Sequence, residues 1–94
     1  MHTLQIRHRV PNYDGWKAAF DADPVGRERS GVRRYRILRS VEDLNDVTIE
    51  LDFDDATHAE ALLAAMQGVW TNVQGTLVMN PATGIHEIAE TRDY

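Results

Sequence analysis

The sequence predicts an α+β fold in which strands and helices follow in the order β-α-β-β-α-β. Three observations predict it. Apolar and polar residues alternate over residues 3–10, 32–40 and 47–53, as in strands with one buried face. Apolar residues recur at helical spacing between Asn12 and Pro24 and again from Ala59 to Val73. Turn-forming Asp, Asn, Gly and Pro residues separate these stretches.

The centre of the predicted sheet is an antiparallel hairpin from Val32 to Phe53, with its turn at residues 42–46. Folding the two arms about Leu44 predicts one face with Val41 opposite Val47, Arg39 opposite Ile49, Ile37 opposite Leu51 and Tyr35 opposite Phe53. The other face then has Ser40 opposite Thr48, Leu38 opposite Glu50, Arg36 opposite Asp52 and Arg34 opposite Asp54. A slip of one residue would set apolar side chains opposite arginines, so the pattern favours this pairing.

The first strand and first helix are predicted from residues 3–23. In the strand, Leu4, Ile6, His8 and Val10 share one face. Pro11 ends the strand, Asn12 caps the helix, and Pro24 stops it. The apolar stripe of this helix consists of Tyr13, Trp16 and Phe20. Residues 23–31 are predicted to be a surface connection because they are rich in Pro, Gly and charge.

The second half of the chain predicts a helix and a final strand. Thr57 and Glu60 have capping-box spacing at the helix start, and Gly68 predicts a bend or a break. A short extended piece is expected from residue 76, then a turn at Asn80-Pro81 and the last strand over residues 84–90. The face on which His86 lies is left open. The helical stripe consists of Ala59, Leu62, Leu63, Met66, Val69 and Val73.

This element order is that of a ferredoxin-like βαββαβ sandwich, formed by residues 1–94 as a single domain. Both helices are expected to cover the apolar face of the sheet. That face consists of Leu4, Ile6, Val10, Ile37, Val47, Ile49, Leu51 and Phe53. The opposite face carries Gln5, Arg7, Arg9, Arg34, Arg36, Leu38, Thr48, Glu50 and Asp52.

Composition excludes several classes of function. The chain has no cysteine and therefore no disulfide or thiol chemistry. Residues 1–40 carry nine Lys and Arg against four Asp and Glu, whereas residues 41–94 carry one against eleven. These halves are expected to pair within the sheet, so a nucleic-acid partner is not favoured. The N-terminal stretch has no long apolar run, so neither a signal peptide nor a membrane span is predicted there. A cytoplasmic location is the resulting expectation.

The stretch from Ile6 to Phe53 resembles small actinobacterial proteins of the dimeric α/β-barrel superfamily, and the resemblance extends over nearly the whole chain. Its most characteristic part is VPNYDGWKAAFDADPVGRERSGVRRYRI, residues 10–37. That superfamily includes antibiotic-biosynthesis monooxygenases, haem-degrading enzymes and aromatic polyketide cyclases. The resemblance implies a homodimer in which two sheets pack face to face with the helices outside. The alternative is a monomer whose charged sheet face is solvated. The resemblance also implies a ligand pocket between each sheet and its own helices.

Within such a pocket, His8 and Arg39 are the candidate catalytic residues, as proton shuttle and oxyanion partner. The alternatives are a hydrogen-bonded core histidine and an arginine that reaches solvent. The candidate pocket-lining residues, which could equally be core, are Tyr13, Trp16, Tyr35, Phe53, Met66 and Trp70.

Two functions remain open. One is a small cofactor-free cyclase or monooxygenase acting on an aromatic or polyketide-like molecule. The other is a non-catalytic homodimeric binding or stress-related module with a small or filled pocket. Neither a cofactor nor a metal is predicted, because His2, His8, His58 and His86 lack ligand spacing. A cavity of about 300 Å³ or more beside His8 would favour the enzyme.

Overall fold

The computed structural model describes residues 1–73 and 79–94. Within them, four strands form one antiparallel sheet of order β2-β3-β1-β4, and two helices accompany it. The elements are β1 (His2–Arg9), α1 (Tyr13–Ala22), β2 (Arg34–Arg39), β3 (Asp46–Phe53), α2 (Ala56–Val73) and β4 (Met79–Glu87). The predicted β-α-β-β-α-β order and ferredoxin-like topology are confirmed.

One face of the sheet forms the core, as the alternation of side chains predicts. In β3, four buried residues alternate with four half-buried ones. In β1, Leu4, Ile6 and His8 are buried, and the residues between them are half-buried or exposed. Both helices pack on this face through Trp16, Phe20 and Leu62. The most deeply buried side chains are Leu4, Ile6, Val10, Val47, Ile49, Leu51, Phe53 and Leu62.

The register of the β2–β3 hairpin differs from the predicted one by two residues. Ile37 lies opposite Ile49 instead of Leu51, and Arg39 lies opposite Val47. A slip of two keeps every side chain on its predicted face, so the apolar pattern cannot distinguish the two registers. The turn decides the register, because the Asn45 amide donates to the Asp43 side chain, 3.0 Å away. The loop is therefore centred on Asp43 instead of Leu44.

The new register also changes the ion pairs on the opposite face. Arg34 pairs with Asp52, with 2.8 Å between Nε and Oδ2. Arg36 pairs with Glu50. The predicted partners were Asp54 and Asp52. Further pairs on this face join Arg7 to Asp46 and Arg9 to Asp43. The charged residues of this face therefore neutralise one another across neighbouring strands, and the guanidinium groups are the more exposed members.

Helix α1 begins and ends as the sequence predicts. The Asn12 side chain accepts a hydrogen bond from the Gly15 amide, with an Oδ1–N distance of 3.0 Å. The helix ends at Ala22, and Asp23 adopts the left-handed conformation with φ of 54°. The amide of Asp23 donates to the Phe20 carbonyl and thereby satisfies one carbonyl of the last turn.

Helix α2 differs from the prediction in two respects. Its cap is Asp55, whose carboxylate accepts from the His58 amide at 2.8 Å, and not the predicted Thr57–Glu60 box. Helix residues continue from Ala56 to Val73 through Gly68, so of the bend or break predicted there the break does not occur. A single glycine in a helix costs only about 1 kcal/mol relative to alanine. Packing of the apolar face outweighs that cost.

Strand β4 begins earlier than predicted. It runs from Met79 to Glu87, so Asn80 and Pro81 lie in the strand and the predicted turn there is wrong. The register between β4 and β1 shifts between Arg7 and Arg9, opposite residues 80 and 81, and a proline is tolerated at such an irregularity of an outer strand. His86 is exposed and lies opposite Thr3, on the polar side of the sheet. Residues 76–78, predicted to be extended, lie outside the described residues.

Candidate functional site

A cavity of about 340 Å³ lies between the apolar face of the sheet and the helices. It exceeds the volume of about 300 Å³ at which small-molecule sites begin. From α1 and the connection that follows, its walls are formed by Trp16, Ala19, Phe20, Ala22, Pro24, Val25 and Arg27. From the sheet and α2, they are formed by His8, Ile49, Met66, Val69 and Trp70. Among the described residues, the walls are apolar except at His8 and Arg27.

His8 is placed in this cavity by the two-residue period of β1, which turns its side chain toward the helices. The side chain is 3% exposed, and its ring lies 5.4 Å from the Trp16 ring. The Nδ1 atom is buried and has no hydrogen-bond partner among the described residues. Burial removes water from the charged imidazolium and lowers the pKa of His8 from 6.5 to about 4, which the Asp46 carboxylate opposes only in part. His8 is therefore neutral at pH 7.

A row of aromatic rings forms the α1 side of the cavity and continues beyond it. The Trp16 and Phe20 rings are 5.2 Å apart, and Phe20 meets Tyr35 edge-on at 5.0 Å. Tyr13 extends the row at the other end, 5.7 Å from Trp16. The spacing of Tyr13, Trp16 and Phe20 along α1 places these three rings on one side of the helix, as the predicted stripe indicates. The cavity therefore has an aromatic wall formed by Trp16 and Phe20, whose rings are tilted by 30° to each other.

Arg27 closes one side of the cavity, and sequence reasoning missed it. Its guanidinium carbon lies 3.8 Å from the centre of the Phe20 ring, and Nη1 donates to the Phe20 carbonyl at 2.7 Å. The Asp23 carboxylate lies 3.4 Å from the same nitrogen and accepts the Arg27 amide. The usable signal was the four-residue spacing of Asp23 and Arg27 directly after the helix. These contacts fold the connection back against α1.

The structure brings half of the predicted pocket residues together with His8. Trp16, Met66 and Trp70 line the cavity. Phe53 is fully buried in the core and Tyr35 is 43% exposed, and neither is among the lining residues.

Arg39 lies apart from the cavity lining. Its guanidinium carbon is 3.8 Å from the Tyr13 ring, and its Nε donates to the Leu44 carbonyl at 2.9 Å. Tyr13 is likewise not among the residues that line the cavity. The catalytic role of Arg39 stays a prediction.

The remaining histidines lie outside this cavity. His58 is exposed on the first turn of α2, with Nδ1 at 2.7 Å from Asp55 Oδ1. Within residues 1–73 and 79–94, no cluster of three or more His, Cys, Asp or Glu side chains could hold a metal ion. In the same part of the chain, neither helix combines the length and the apolar character needed to span a bilayer.

Solved structures with the same arrangement of elements decide the fold. SnoaB, a cofactor-independent oxygenase from Streptomyces nogalater, superimposes with a TM-score of 0.75 at 18% identity, over 96% of this chain and 94% of its own. A dimeric ferredoxin-like protein from an uncultured marine organism gives a TM-score of 0.66 at 15% identity, over 97% of both chains. The chain has the ferredoxin-like fold.

A third ferredoxin-like structure is a protein from Nitrosomonas europaea named as an antibiotic biosynthesis monooxygenase. It gives a TM-score of 0.61 at 18% identity, over 96% of this chain and all of its own. Neither a protein-family model nor a curated protein sequence matches the chain. At these identities the similarity establishes the ferredoxin-like fold, and activity has to be argued from the cavity.

Proposed function

We propose that the protein binds a planar, largely apolar molecule in the cavity beside His8 and oxygenates or cyclises it without a cofactor. The observation that carries the proposal is a cavity of about 340 Å³ that holds a neutral, buried imidazole. Its aromatic walls suit an aromatic or polyketide-like ring system. The fold shared with SnoaB, a cofactor-independent oxygenase, supports the oxygenase alternative.

His8 is the group that would move a proton in this cavity. A neutral imidazole can accept the hydroxyl proton of a phenol or enol, which leaves the electron pair delocalised over oxygen and ring carbon. Dioxygen then bonds to the electron-rich carbon as a peroxide, which takes back the proton held by the imidazolium. The ring proton at that carbon and the terminal hydroxide of the hydroperoxide then leave together as one water when the O–O bond breaks, which gives a quinone. Because an imidazole with a pKa of about 4 is a weak base, the anion formed beside it has to be stabilised. Among the described lining residues, Arg27 is the cation that could do so.

The test uses 1-naphthol, for which the balanced reaction is C10H8O + O2 → C10H6O2 + H2O. Both tryptophans of the chain line the cavity, so their two indole N–H signals in an NMR titration report binding there. We expect 1-naphthol to shift both signals and to support dioxygen uptake with formation of naphthoquinone. His8→Gln is expected to keep binding and lose at least about tenfold in the rate of uptake.

Two further variants complete this test. Arg39→Met tests the predicted role of Arg39, and an unchanged rate would remove it from the mechanism. Ala19→Phe fills the cavity and should abolish the shifts of the indole signals. If 1-naphthol leaves both signals unmoved in the wild-type protein, the proposed ligand site is wrong.

A non-catalytic binding module is the second candidate function. The low pKa of His8 favours it, because a histidine that stays neutral to about pH 4 is a poor general base. Binding of 1-naphthol without dioxygen uptake, and with the same affinity in His8→Gln, would support this alternative over the oxygenase.

The polar face of the sheet supports assembly as a homodimer. Arg34 and Arg36 are each paired with a carboxylate on β3, so the face presents neutralised pairs. Such pairs can be buried between two sheets at lower cost than unpaired charges. The dimeric ferredoxin-like protein from the marine organism shares this fold. Two copies would then form one α/β barrel with the cavities outside the interface. The cytoplasmic location remains a prediction.

Removing one member of a pair on this face should weaken the dimer. In Arg36→Ala, Glu50 loses its guanidinium partner, and Glu50 is only 17% exposed in the single chain. An unpaired charge buried in an interface costs about 3–5 kcal/mol, and Gln5 compensates part of it, so we expect a dimer Kd raised by roughly tenfold to hundredfold. Sedimentation equilibrium measures the change.

The matched control is Arg33→Ala. It removes the same charge from a pair whose carboxylate, Asp54, is 57% exposed. It should leave the dimer Kd unchanged. A wild-type mass equal to one chain at every concentration would overturn the homodimer, and equal effects of both variants would remove the polar face from the interface.

A further inference from the structure

We propose that Arg27 makes the cavity selective for an anionic ligand, an aromatic or polyketide-like acid whose carboxylate or enolate oxygen binds the guanidinium while its rings lie along the Trp16 wall. This inference rests on the proposed function, because it assumes that the cavity takes a ligand. It specifies in addition that the ligand is an anion and that Arg27 is the residue that binds its charged oxygen.

The charge of the lining is the first step. Among the described residues that line the cavity, Arg27 is a permanent cation and no carboxylate is present. His8, the other titratable group of the lining, is neutral at pH 7 because of its burial. The remaining walls are apolar or aromatic. The lining therefore carries one positive charge, at the side formed by the α1–β2 connection, and the Asp23 carboxylate outside the lining offsets part of it.

The burial of Arg27 is the second step. Its side chain is 15% exposed, against 62–70% for the arginines at positions 7, 9, 33, 34 and 36. Ion pairs on the surface are screened by water and salt, whereas a largely desolvated cation attracts an anion more strongly. Arg27 is therefore expected to attract an anionic ligand more strongly than a surface arginine would.

The spare hydrogen-bonding capacity of Arg27 is the third step. A guanidinium has five N–H donors. One is used by the Phe20 carbonyl, and the Asp23 carboxylate stands at 3.4 Å from the same nitrogen. The Asp23 carboxylate also accepts a hydrogen bond from the Arg27 amide and is one-third exposed. Water and the backbone amide therefore solvate part of its negative charge. The contacts that Arg27 makes with described residues leave the donors on the other guanidinium nitrogens for a ligand oxygen.

The stacking of Arg27 on Phe20 fixes the direction of these donors. The guanidinium carbon lies 3.8 Å from the ring centre of Phe20 and 5.2 Å from that of Tyr35. Because the group is held by ring and carbonyl before any ligand arrives, little side-chain entropy is lost on binding. A planar acid can thus place its oxygen at Arg27 and its rings beside Trp16 in one orientation.

The experiment compares 2-naphthoate with 2-naphthamide, which have the same shape and differ in charge. Titrations at pH 7 are followed by the two indole N–H signals of Trp16 and Trp70, both of which line the cavity. We expect 2-naphthoate to bind at least about tenfold more tightly than 2-naphthamide, because it gains a charge-assisted hydrogen bond in a water-poor site.

The variant Arg27→Met keeps the aliphatic stem and removes the charge. It should weaken 2-naphthoate by about tenfold and leave 2-naphthamide within about twofold. Arg29→Met is the matched control, since Arg29 belongs to the same connection, is exposed and is not among the lining residues. It should change neither affinity. If Arg27→Met does not fold, Arg27→Lys tests the same point, because the charge alone should preserve a preference for the anion.

The outcomes separate this inference from the proposed function. If both probes bind equally well to the wild-type protein, the selectivity is wrong while the ligand site stands. If neither probe shifts the indole signals, the ligand site itself fails. An equal loss of both probes in folded Arg27→Met would show that Arg27 only shapes the wall, and it too would overturn the inference.

Discussion

Between pH 6.5 and pH 4, the wild-type protein is expected to lose about 3 kcal/mol more stability than the His8→Gln variant. The pKa of buried His8 is about 4, below its ordinary value of 6.5, because burial disfavours the imidazolium. In this pH range the unfolded chain binds a proton that the folded chain does not. The contribution of His8 to folding is therefore complete above pH 6.5 and is lost as the pH falls toward 4.

Urea unfolding at a fixed protein concentration measures this difference, because self-association would otherwise shift the midpoint. Acidic residues also titrate at low pH, but they do so in both proteins and cancel in the comparison. His86→Gln removes an exposed histidine and is the matched control. Parallel stability curves for wild type and His8→Gln would show that His8 can take up a proton in place, by contact with water or by a shift of the helices.

Phe53→Ala is expected to destabilise the protein by about 3–5 kcal/mol, because it leaves a large void in the core. The side chain is fully buried at the end of β3, where the strand pairs with β1 opposite His2. Such a loss is comparable to the whole stability of many small domains, which starts at about 5 kcal/mol. The unfolding midpoint in urea, or the melting temperature, gives the result.

The milder Phe53→Leu variant distinguishes a role of Phe53 in core packing from a role in ligand binding. Because Phe53 is not among the residues that line the cavity, this variant should lower stability without changing the affinity for 1-naphthol. Met66→Ala, in contrast, should change the affinity for 1-naphthol, because Met66 forms part of the cavity wall. A change of affinity in Phe53→Leu as large as that in Met66→Ala would place Phe53 at the ligand after all.

The faces of the sheet could be predicted from the sequence, but the hairpin register could not. The period of two in β3 directs Val47, Ile49 and Leu51 to the core in either register. Only the hydrogen bonds of the Asp43 turn distinguish the two, and several Asp and Asn residues there offer equivalent turn chemistry. The cap of α2 was misassigned for the same reason, since Asp55 and Thr57 are both acceptable cap residues.

The cavity was predictable in part. His8, Trp16 and Met66 were found because secondary-structure period alone decides which face they occupy, whereas Trp70 lies outside the predicted helical stripe and was a candidate as an aromatic side chain. Arg27 was missed because a charged residue in a Pro- and Gly-rich connection resembles a solvated surface residue. Its burial depends on the way the connection folds back on Phe20, which is a tertiary contact.

The outer strands of the sheet carry features that discourage fibril growth. A strand with free amide and carbonyl groups is a template for intermolecular β-pairing. On β4 the ring of Pro81 supplies no amide, and on β2 three arginines stand within six residues. Both features oppose the addition of a further strand from another molecule. Polymerisation through the rims of the sheet is thereby disfavoured, and its broad charged surface is left as the place where copies can meet.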